Sequence, residues 1–130
     1  MSNTKLKIGI FEDEEDILTL YKEFLISRGH EVIFSSLNVE NILPNFVKNH
    51  PDIVLLDYRF TGVKTGIDVA IEILTKYPLF PILFITGYEQ LRIDILGYPI
   101  LQGKNISILI KPVFLKSIEA AISNLVSKLL

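Results

Sequence analysis

The sequence predicts an α/β fold, a doubly wound sheet of five parallel strands, in a single domain spanning residues 1–130. Short apolar runs alternate with longer segments whose apolar residues recur at helical spacing. This alternation is typical of strand–helix units around a parallel sheet that helices cover on both faces. Right-handed crossovers leave few other ways to close such a series of strands and helices.

Composition narrows the function classes. A chain of 130 residues suits one globular domain with a real core. The net charge of −2 and the scattered Lys and Arg residues argue against direct nucleic acid binding. Cysteine is absent, which excludes disulfides and thiolate metal sites. No run approaches the roughly 18 apolar residues of a membrane span, and no signal peptide is recognisable. We therefore expect a soluble cytoplasmic protein without membrane contact.

The first strand and helix have clear boundaries. The first strand is predicted over "KLKIGIF", residues 5–11, and Gly29 ends the following helix as a left-handed C-terminal cap. One apolar face of that helix comprises Ile17, Leu18, Tyr21, Phe24 and Leu25.

The next two strands follow the same pattern. The second is predicted over "HEVIFSS", residues 30–36, and the third over "DIVLLD", residues 52–57, after Pro51. Between them, Asn38 is predicted to be the N-cap of a helix. That helix would bury Val39, Ile42, Leu43, Phe46 and Val47. A loop containing Gly62 and Gly66 comes after the third strand.

The second half completes the sheet. A helix is predicted from Gly66 that stops before Pro78, a fourth strand over "PILFIT", residues 81–86, and a fifth over "ISILI", residues 106–110. The segment from Gly87 to Asn105 is the least regular, because "GYPILQG" interrupts any single helix through it. The last helix begins at about Phe114 and would bury Leu115, Ile118, Ala121, Ile122, Leu125 and Leu129.

Polar residues stand at the predicted C-terminal ends of four strands. They are Glu12 and Asp13 after the first, Asp57 after the third, Thr86 after the fourth, and Lys111 followed by Pro112 after the fifth. Each alone has an ordinary explanation as a cap, a turn residue or a solvated charge. Doubly wound sheets, however, bind ligands at this edge, so the coincidence favours a functional site.

The residue types indicate phosphoryl chemistry. Converging carboxylates suit a hard cation such as Mg²⁺, whose coordination is often completed by a phosphate oxygen. A carboxylate can also attack phosphorus and form an aspartyl phosphate. An ammonium and a hydroxyl directed at the transferring oxygens would stabilise that reaction, and Lys111 and Thr86 fit these roles.

From about Lys5 to Leu130 the chain resembles a receiver domain of two-component signalling, that is, a response regulator. The resemblance rests on four short motifs in order, "IFEDEEDIL", "DIVLLDYRF", "FITGY" and "LIKPV". It implies a flavodoxin-like fold with strand order 2-1-3-4-5.

The resemblance also implies a metal site. Glu12 and Asp13 would bind Mg²⁺ together with Asp57, and Arg59 would contribute its backbone carbonyl. The cofactor expected is therefore Mg²⁺.

The same resemblance implies roles in transfer. Asp57 would accept a phosphoryl group from a histidine kinase or a phosphotransfer protein, Thr86 would be the switch hydroxyl, and Lys111 would precede a cis Pro112. The chain would then be a signalling protein rather than an enzyme, catalysing only its own phosphorylation and dephosphorylation.

Two features depart from the family pattern. Thr61 stands where a proline is usual, and "TGVKTG" is one residue longer than expected. Ile108 occupies the position of the switch aromatic, three residues before Lys111, so an aromatic switch of the usual form is not expected there.

The leading hypothesis is a stand-alone receiver whose phosphorylation changes its protein contacts, with phosphorylation-dependent self-association among them. The alternative is a degenerate receiver that serves as a phosphorylation-independent docking module. A haloacid dehalogenase phosphatase would need a second Asp where Arg59 stands, and a nucleotide-binding domain would need a glycine-rich turn in place of "FEDEED".

Two interpretations stay open for the apolar segment after Thr86. Its apolar residues could all belong to the core, or those around Tyr98 to Leu101 could form a partner face. His30 and His50 are interpreted as surface residues.

Overall fold

The structure, a computed structural model, describes residues 5–36, 48–59 and 64–128. Its strands form one parallel sheet in the order β2-β1-β3-β4-β5. They are β1 (Lys7–Phe11), β2 (Glu31–Ser36), β3 (Ile53–Leu56), β4 (Ile82–Thr86) and β5 (Ile106–Ile110). The predicted fold class and strand order are confirmed.

Helices flank this sheet and connect its strands. They are α1 (Glu15–Ser27), α2 (Gly66–Lys76), the short α3 (Leu91–Ile95) and α4 (Leu115–Ser127), with a 3₁₀ turn at Pro99–Leu101. Gly29 follows α1 with φ of +90°, as the sequence predicts. The helix expected from Asn38, the loop position Gly62 and the predicted burial of Leu129 lie outside the described residues.

The core has two layers, one on each face of the sheet, because neighbouring residues of a strand point in opposite directions. One layer packs strand side chains such as Val54 and Phe84 against α2 and α3. The other packs Ile10 and Leu55 against α1 and α4. Strands β3 and β4 are buried along their full length, which explains why their sequences are apolar at every position except Thr86, at the end of β4.

The segment between β4 and β5 is irregular, as predicted. Leu91, Ile95 and Leu101 are buried, whereas Ile93 is 62% exposed and Leu96 is 70% exposed. Leu101 therefore belongs to the core and not to a partner face, whereas Tyr98 at the other end of the predicted face is 40% exposed. Among the described residues, no helix is long and apolar enough to cross a membrane.

His30 is half-buried directly before β2, and its Nδ1 accepts a hydrogen bond of 3.2 Å from the backbone N–H of Leu6. Burial lowers the pKa of His30, against a weaker opposite effect of Glu119. The folded protein thus favours the neutral imidazole.

We expect the free energy of unfolding to decrease as the pH falls below the ordinary histidine pKa of 6.5. Unfolded His30 takes up its proton at a higher pH than folded His30, so its stabilising contribution is complete above that value and is lost towards the lower folded pKa. His30→Asn, which keeps an acceptor near the Nδ1 position, should flatten this part of the profile. Urea unfolding between about pH 5 and 8 measures it.

The matched control is His50→Asn, at an exposed position whose φ of 49° an asparagine adopts readily. It should keep the wild-type slope. Equal slopes for His30→Asn and the wild type would contradict the assignment.

Candidate functional site

Strand register brings the polar strand ends together. In the β1–β3 pair, Phe11 lies opposite Leu56, so Glu12 and Asp57 leave the sheet side by side. The backbone N–H of Asp57 donates to the carbonyl of Phe11 at 3.1 Å, which fixes this arrangement. On the other side of the site, the N–H of Lys111 donates to the carbonyl of Thr86 at 2.8 Å.

Three carboxylates converge at this edge. One oxygen each from Glu12, Asp13 and Asp57 lies within 4.8 Å of the others. Glu12 is only 2% exposed and Asp57 only 7%. Burial makes the repulsion among these like charges stronger than it would be in water.

Lys111 compensates part of this charge. Its Nζ donates to Glu12 Oε1 at 2.8 Å and to Asp57 Oδ2 at 3.1 Å. The other oxygens of these two side chains accept backbone hydrogen bonds, Glu12 Oε2 from Glu14 at 3.1 Å and Asp57 Oδ1 from Tyr58 at 2.6 Å. One ammonium thus faces three carboxylates.

The pKa values reflect this imbalance. Burial raises the pKa of Glu12, and the hydrogen bonds from Lys111 and Glu14 only partly oppose it. Burial acts to lower the pKa of Lys111, but its hydrogen bonds to Glu12 and Asp57 together raise it above the ordinary value. Lys111 is therefore charged, but its single positive charge does not neutralise all the carboxylates of the site.

Thr86 contributes a buried hydroxyl from the end of β4. It is 1% exposed, and its Oγ1 accepts a hydrogen bond of 3.1 Å from the backbone N–H of Tyr88. Because the oxygen is the acceptor in this bond, the hydroxyl proton is available for another acceptor. The Lys111–Pro112 peptide bond is cis.

Glycine at position 66 lets α2 approach the site closely. A Cβ there would lie 2.3 Å from the carbonyl oxygen of Asp57, closer than any real contact. The N–H of Gly66 also donates to the carbonyl of Tyr58 at 2.7 Å. The start of α2 therefore supports the backbone that carries Asp57.

Two aromatic residues next to the site stack on each other, a contact that was not identified from the sequence. The rings of Tyr58 and Tyr88 stack with centroids 4.4 Å apart and an interplanar angle of 17°. The Arg59 guanidinium lies 5.1 Å from the centre of the Tyr88 ring. Burial raises the pKa of Tyr21, in α1, to about 12. The charge of Lys111 acts to lower this pKa, and the charges of Glu12 and Asp57 act to raise it.

The structure thus brings Glu12, Asp13, Asp57 and Lys111 together, with Thr86 on the neighbouring strand. The role of the Arg59 carbonyl stays a prediction, while its side chain contacts Tyr88. Thr61 and the longer loop lie outside the described residues. Three carboxylates with one competing ammonium fit Mg²⁺, which prefers oxygen ligands and carries the charge that the cluster lacks.

A protein-family model described as "Response regulator receiver domain" matches residues 8–123. Among curated proteins, the chain is 32% identical over 91 residues to the alkaline phosphatase synthesis transcriptional regulatory protein PhoP of Bacillus subtilis. The match covers 70% of this chain and 37% of PhoP, so the chain spans well under half of that relative.

Solved structures give the same result. A response regulator receiver domain protein from Clostridium thermocellum matches with TM-score 0.80 and 28% identity, over 95% of both chains. The response regulator TrrA from Thermotoga maritima, solved in complex with Mg²⁺ and BeF, matches with TM-score 0.77 and 27% identity, over 94% of this chain and 99% of TrrA. A receiver protein from Sinorhizobium medicae matches with TM-score 0.79 and 26% identity, over 97% and 98%.

Asp13→Asn should stabilise the protein when divalent cations are removed. It takes away one of three clustered charges, so we expect a gain of about 1 kcal/mol, which is roughly 3–6 °C in Tm. Excess MgCl₂ should raise the Tm of the wild type by binding the folded state and should raise that of Asp13→Asn far less. Thermal unfolding followed by circular dichroism, with chelator and with MgCl₂, measures both effects.

Asp16→Asn is the control, since it removes the same charge from an exposed position in the first turn of α1. It should keep the full response to MgCl₂. Equal Mg²⁺-induced shifts for Asp13→Asn and Asp16→Asn would exclude Asp13 as a ligand.

Proposed function

The chain belongs to the response regulator receiver domain family, and we propose that it accepts a phosphoryl group on Asp57 and signals through changed protein contacts. The observation that carries this proposal is the convergence of Glu12, Asp13, Asp57 and Lys111 at one sheet edge. The donor is a phosphohistidine of a histidine kinase or of a phosphotransfer protein.

Asp57 is the acceptor in this proposal. One of its carboxylate oxygens attacks the phosphorus, so an O–P bond forms while the N–P bond to the donor imidazole breaks. The imidazole leaves with the electron pair and takes a proton from solvent. The product is an aspartyl phosphate on the central strand of the sheet.

Binding and orientation come from the neighbouring hydrogen bonds. The N–H of Tyr58 holds Asp57 Oδ1 at 2.6 Å, and Lys111 holds Oδ2 at 3.1 Å. The attacking carboxylate is thus fixed before the donor arrives, which lowers the entropic cost of transfer.

Lys111 and Thr86 stabilise the transferred group. The ammonium that bridges Glu12 and Asp57 in this structure moves to a phosphoryl oxygen once that oxygen carries the larger negative charge. The Thr86 hydroxyl donates its proton to a second oxygen, since its own oxygen already accepts from Tyr88. Both groups act where negative charge develops.

Mg²⁺, held by Glu12, Asp13, Asp57 and the Arg59 carbonyl, would supply the positive charge that allows a phosphoryl group to approach three carboxylates. Asp13 is the least buried of the three and is therefore the most accessible to an arriving cation.

A phosphorylation-independent docking module is the second candidate. Ile108 favours it, because an aliphatic side chain stands where the family resemblance places the switch aromatic. The complete set of acidic, hydroxyl and ammonium groups favours signalling by phosphorylation. A docking module does not need buried carboxylates that repel one another.

Incubation with acetyl phosphate and MgCl₂ should add one phosphoryl group to the wild type and none to Asp57→Asn. A chelator should prevent the reaction, because the carboxylates would repel the donor. Intact-mass spectrometry measures the product directly.

Asp52→Asn is the matched control at the opposite end of β3, where the Asp52 carboxylate accepts from the Lys7 N–H at 2.7 Å. It should be phosphorylated like the wild type. A wild type that remains unmodified over a broad range of donor concentrations would favour the docking module instead.

A further inference from the structure

We propose that Tyr88 is a positioning residue that couples the Thr86 hydroxyl to helix α3. The proposal rests on the function proposed above, because Thr86 there donates to the phosphoryl group. In this proposal, Tyr88 transmits a change at the phosphorylation site to the exposed surface of α3.

Tyr88 forms hydrogen bonds in two directions. Its backbone N–H donates to Thr86 Oγ1 at 3.1 Å. Its phenol hydroxyl donates to Oδ2 of Asp94, within α3. A single residue therefore connects the buried hydroxyl at the end of β4 with the middle of the next helix.

The ring of Tyr88 is also in contact with the segment after Asp57. It stacks on Tyr58 at 4.4 Å between centroids, and the Arg59 guanidinium lies 5.1 Å from its centre. The N–H of Tyr58 donates to Asp57 Oδ1. Any change at Asp57 or at Thr86 thus reaches Tyr88 through direct contacts.

Helix α3 is short enough to be moved by such a change. It has 5 residues, too few to be stable in isolation, so its position depends on its tertiary contacts. Leu91 and Ile95 anchor it in the core, and Gln102 Nε2 donates to the Ile95 carbonyl at 2.8 Å. The Tyr88–Asp94 hydrogen bond links it to the site through a side chain, beside the backbone bond of 3.2 Å from the Leu91 N–H to the Tyr88 carbonyl.

The coupling between Thr86 and α3 follows from the hydrogen bonds that Tyr88 forms with Thr86 and with Asp94. When the Thr86 side chain turns its hydroxyl toward a phosphoryl oxygen, its Oγ1 moves, and Tyr88, whose N–H donates to that oxygen, repositions with it. Its hydroxyl then moves Asp94 and with it α3, whose outer surface exposes Ile93 and Leu96. Thermodynamic linkage requires the reverse as well, so a partner bound to α3 would stabilise one state of the site.

The test compares amide spectra before and after saturation with MgCl₂ and beryllofluoride, used as the phosphoryl mimic. In the wild type, the amides of residues 91–98 should shift together with those near Asp57. Tyr88→Phe keeps the stacked ring and removes only the hydroxyl, so we expect the shifts of residues 91–98 to fall by about half or more. Tyr58→Phe, which removes the other hydroxyl of the stacked pair, should retain them.

Shifts of residues 91–98 that are as large in Tyr88→Phe as in the wild type would overturn the proposal. Shifts confined to the site in the wild type would overturn it too.

If the wild type binds no beryllofluoride, the proposed function fails and the coupling is decided without a ligand. Thr86→Val then removes the acceptor of the Tyr88 N–H, and Thr86→Ser retains it. Hydrogen exchange of the amides of residues 91–95 should be several-fold faster in Thr86→Val than in Thr86→Ser. Equal exchange would overturn the coupling.

Discussion

The ammonium of Lys111 lies between the buried carboxylates of Glu12 and Asp57 and donates a hydrogen bond to each. The third carboxylate, on Asp13, receives no hydrogen bond from Lys111 in the described part of the chain. Removing charged groups from water is costly, and a single cation does not balance three anions. In the proposed function, this imbalance is the condition for binding a divalent cation and then a phosphoryl group. The surrounding core provides the stability that the site lacks.

Register and burial enforce the imbalance. The level ends of β1 and β3 place Glu12 beside Asp57, and apolar layers on both faces prevent the strands from slipping. Gly66 lets α2 pack against the backbone of Asp57, while the Tyr58 N–H and Lys111 hold its carboxylate. Beyond β4, α3 has only 5 residues, with Leu91 and Ile95 buried. The regular part of the fold thus holds the site, and the shortest helix follows it directly.

The sequence was sufficient for features that follow from repetition. Apolar strands followed by helices predict the sheet, and the sheet predicts that Glu12, Asp57 and Lys111 meet at one edge. The sequence was insufficient for contacts that depend on the direction in which a side chain points. Tyr58 and Tyr88 are far apart in the chain, and their stacking depends on rotamers that no pattern records. Helix α3 and the 3₁₀ turn after it are too short for a periodic signal. The burial of Leu101 and the exposure of Leu96 could therefore not be predicted.

The most direct measurement is the Mg²⁺ affinity of the wild type and of Lys111→Met by titration calorimetry. Methionine keeps much of the apolar stem of lysine and removes the charge that competes for Glu12 and Asp57. If charge imbalance is the basis of the site, the Kd of Lys111→Met for Mg²⁺ should be lower by roughly tenfold, equivalent to about 1.4 kcal/mol. An unchanged or weaker affinity in the folded variant would contradict the account.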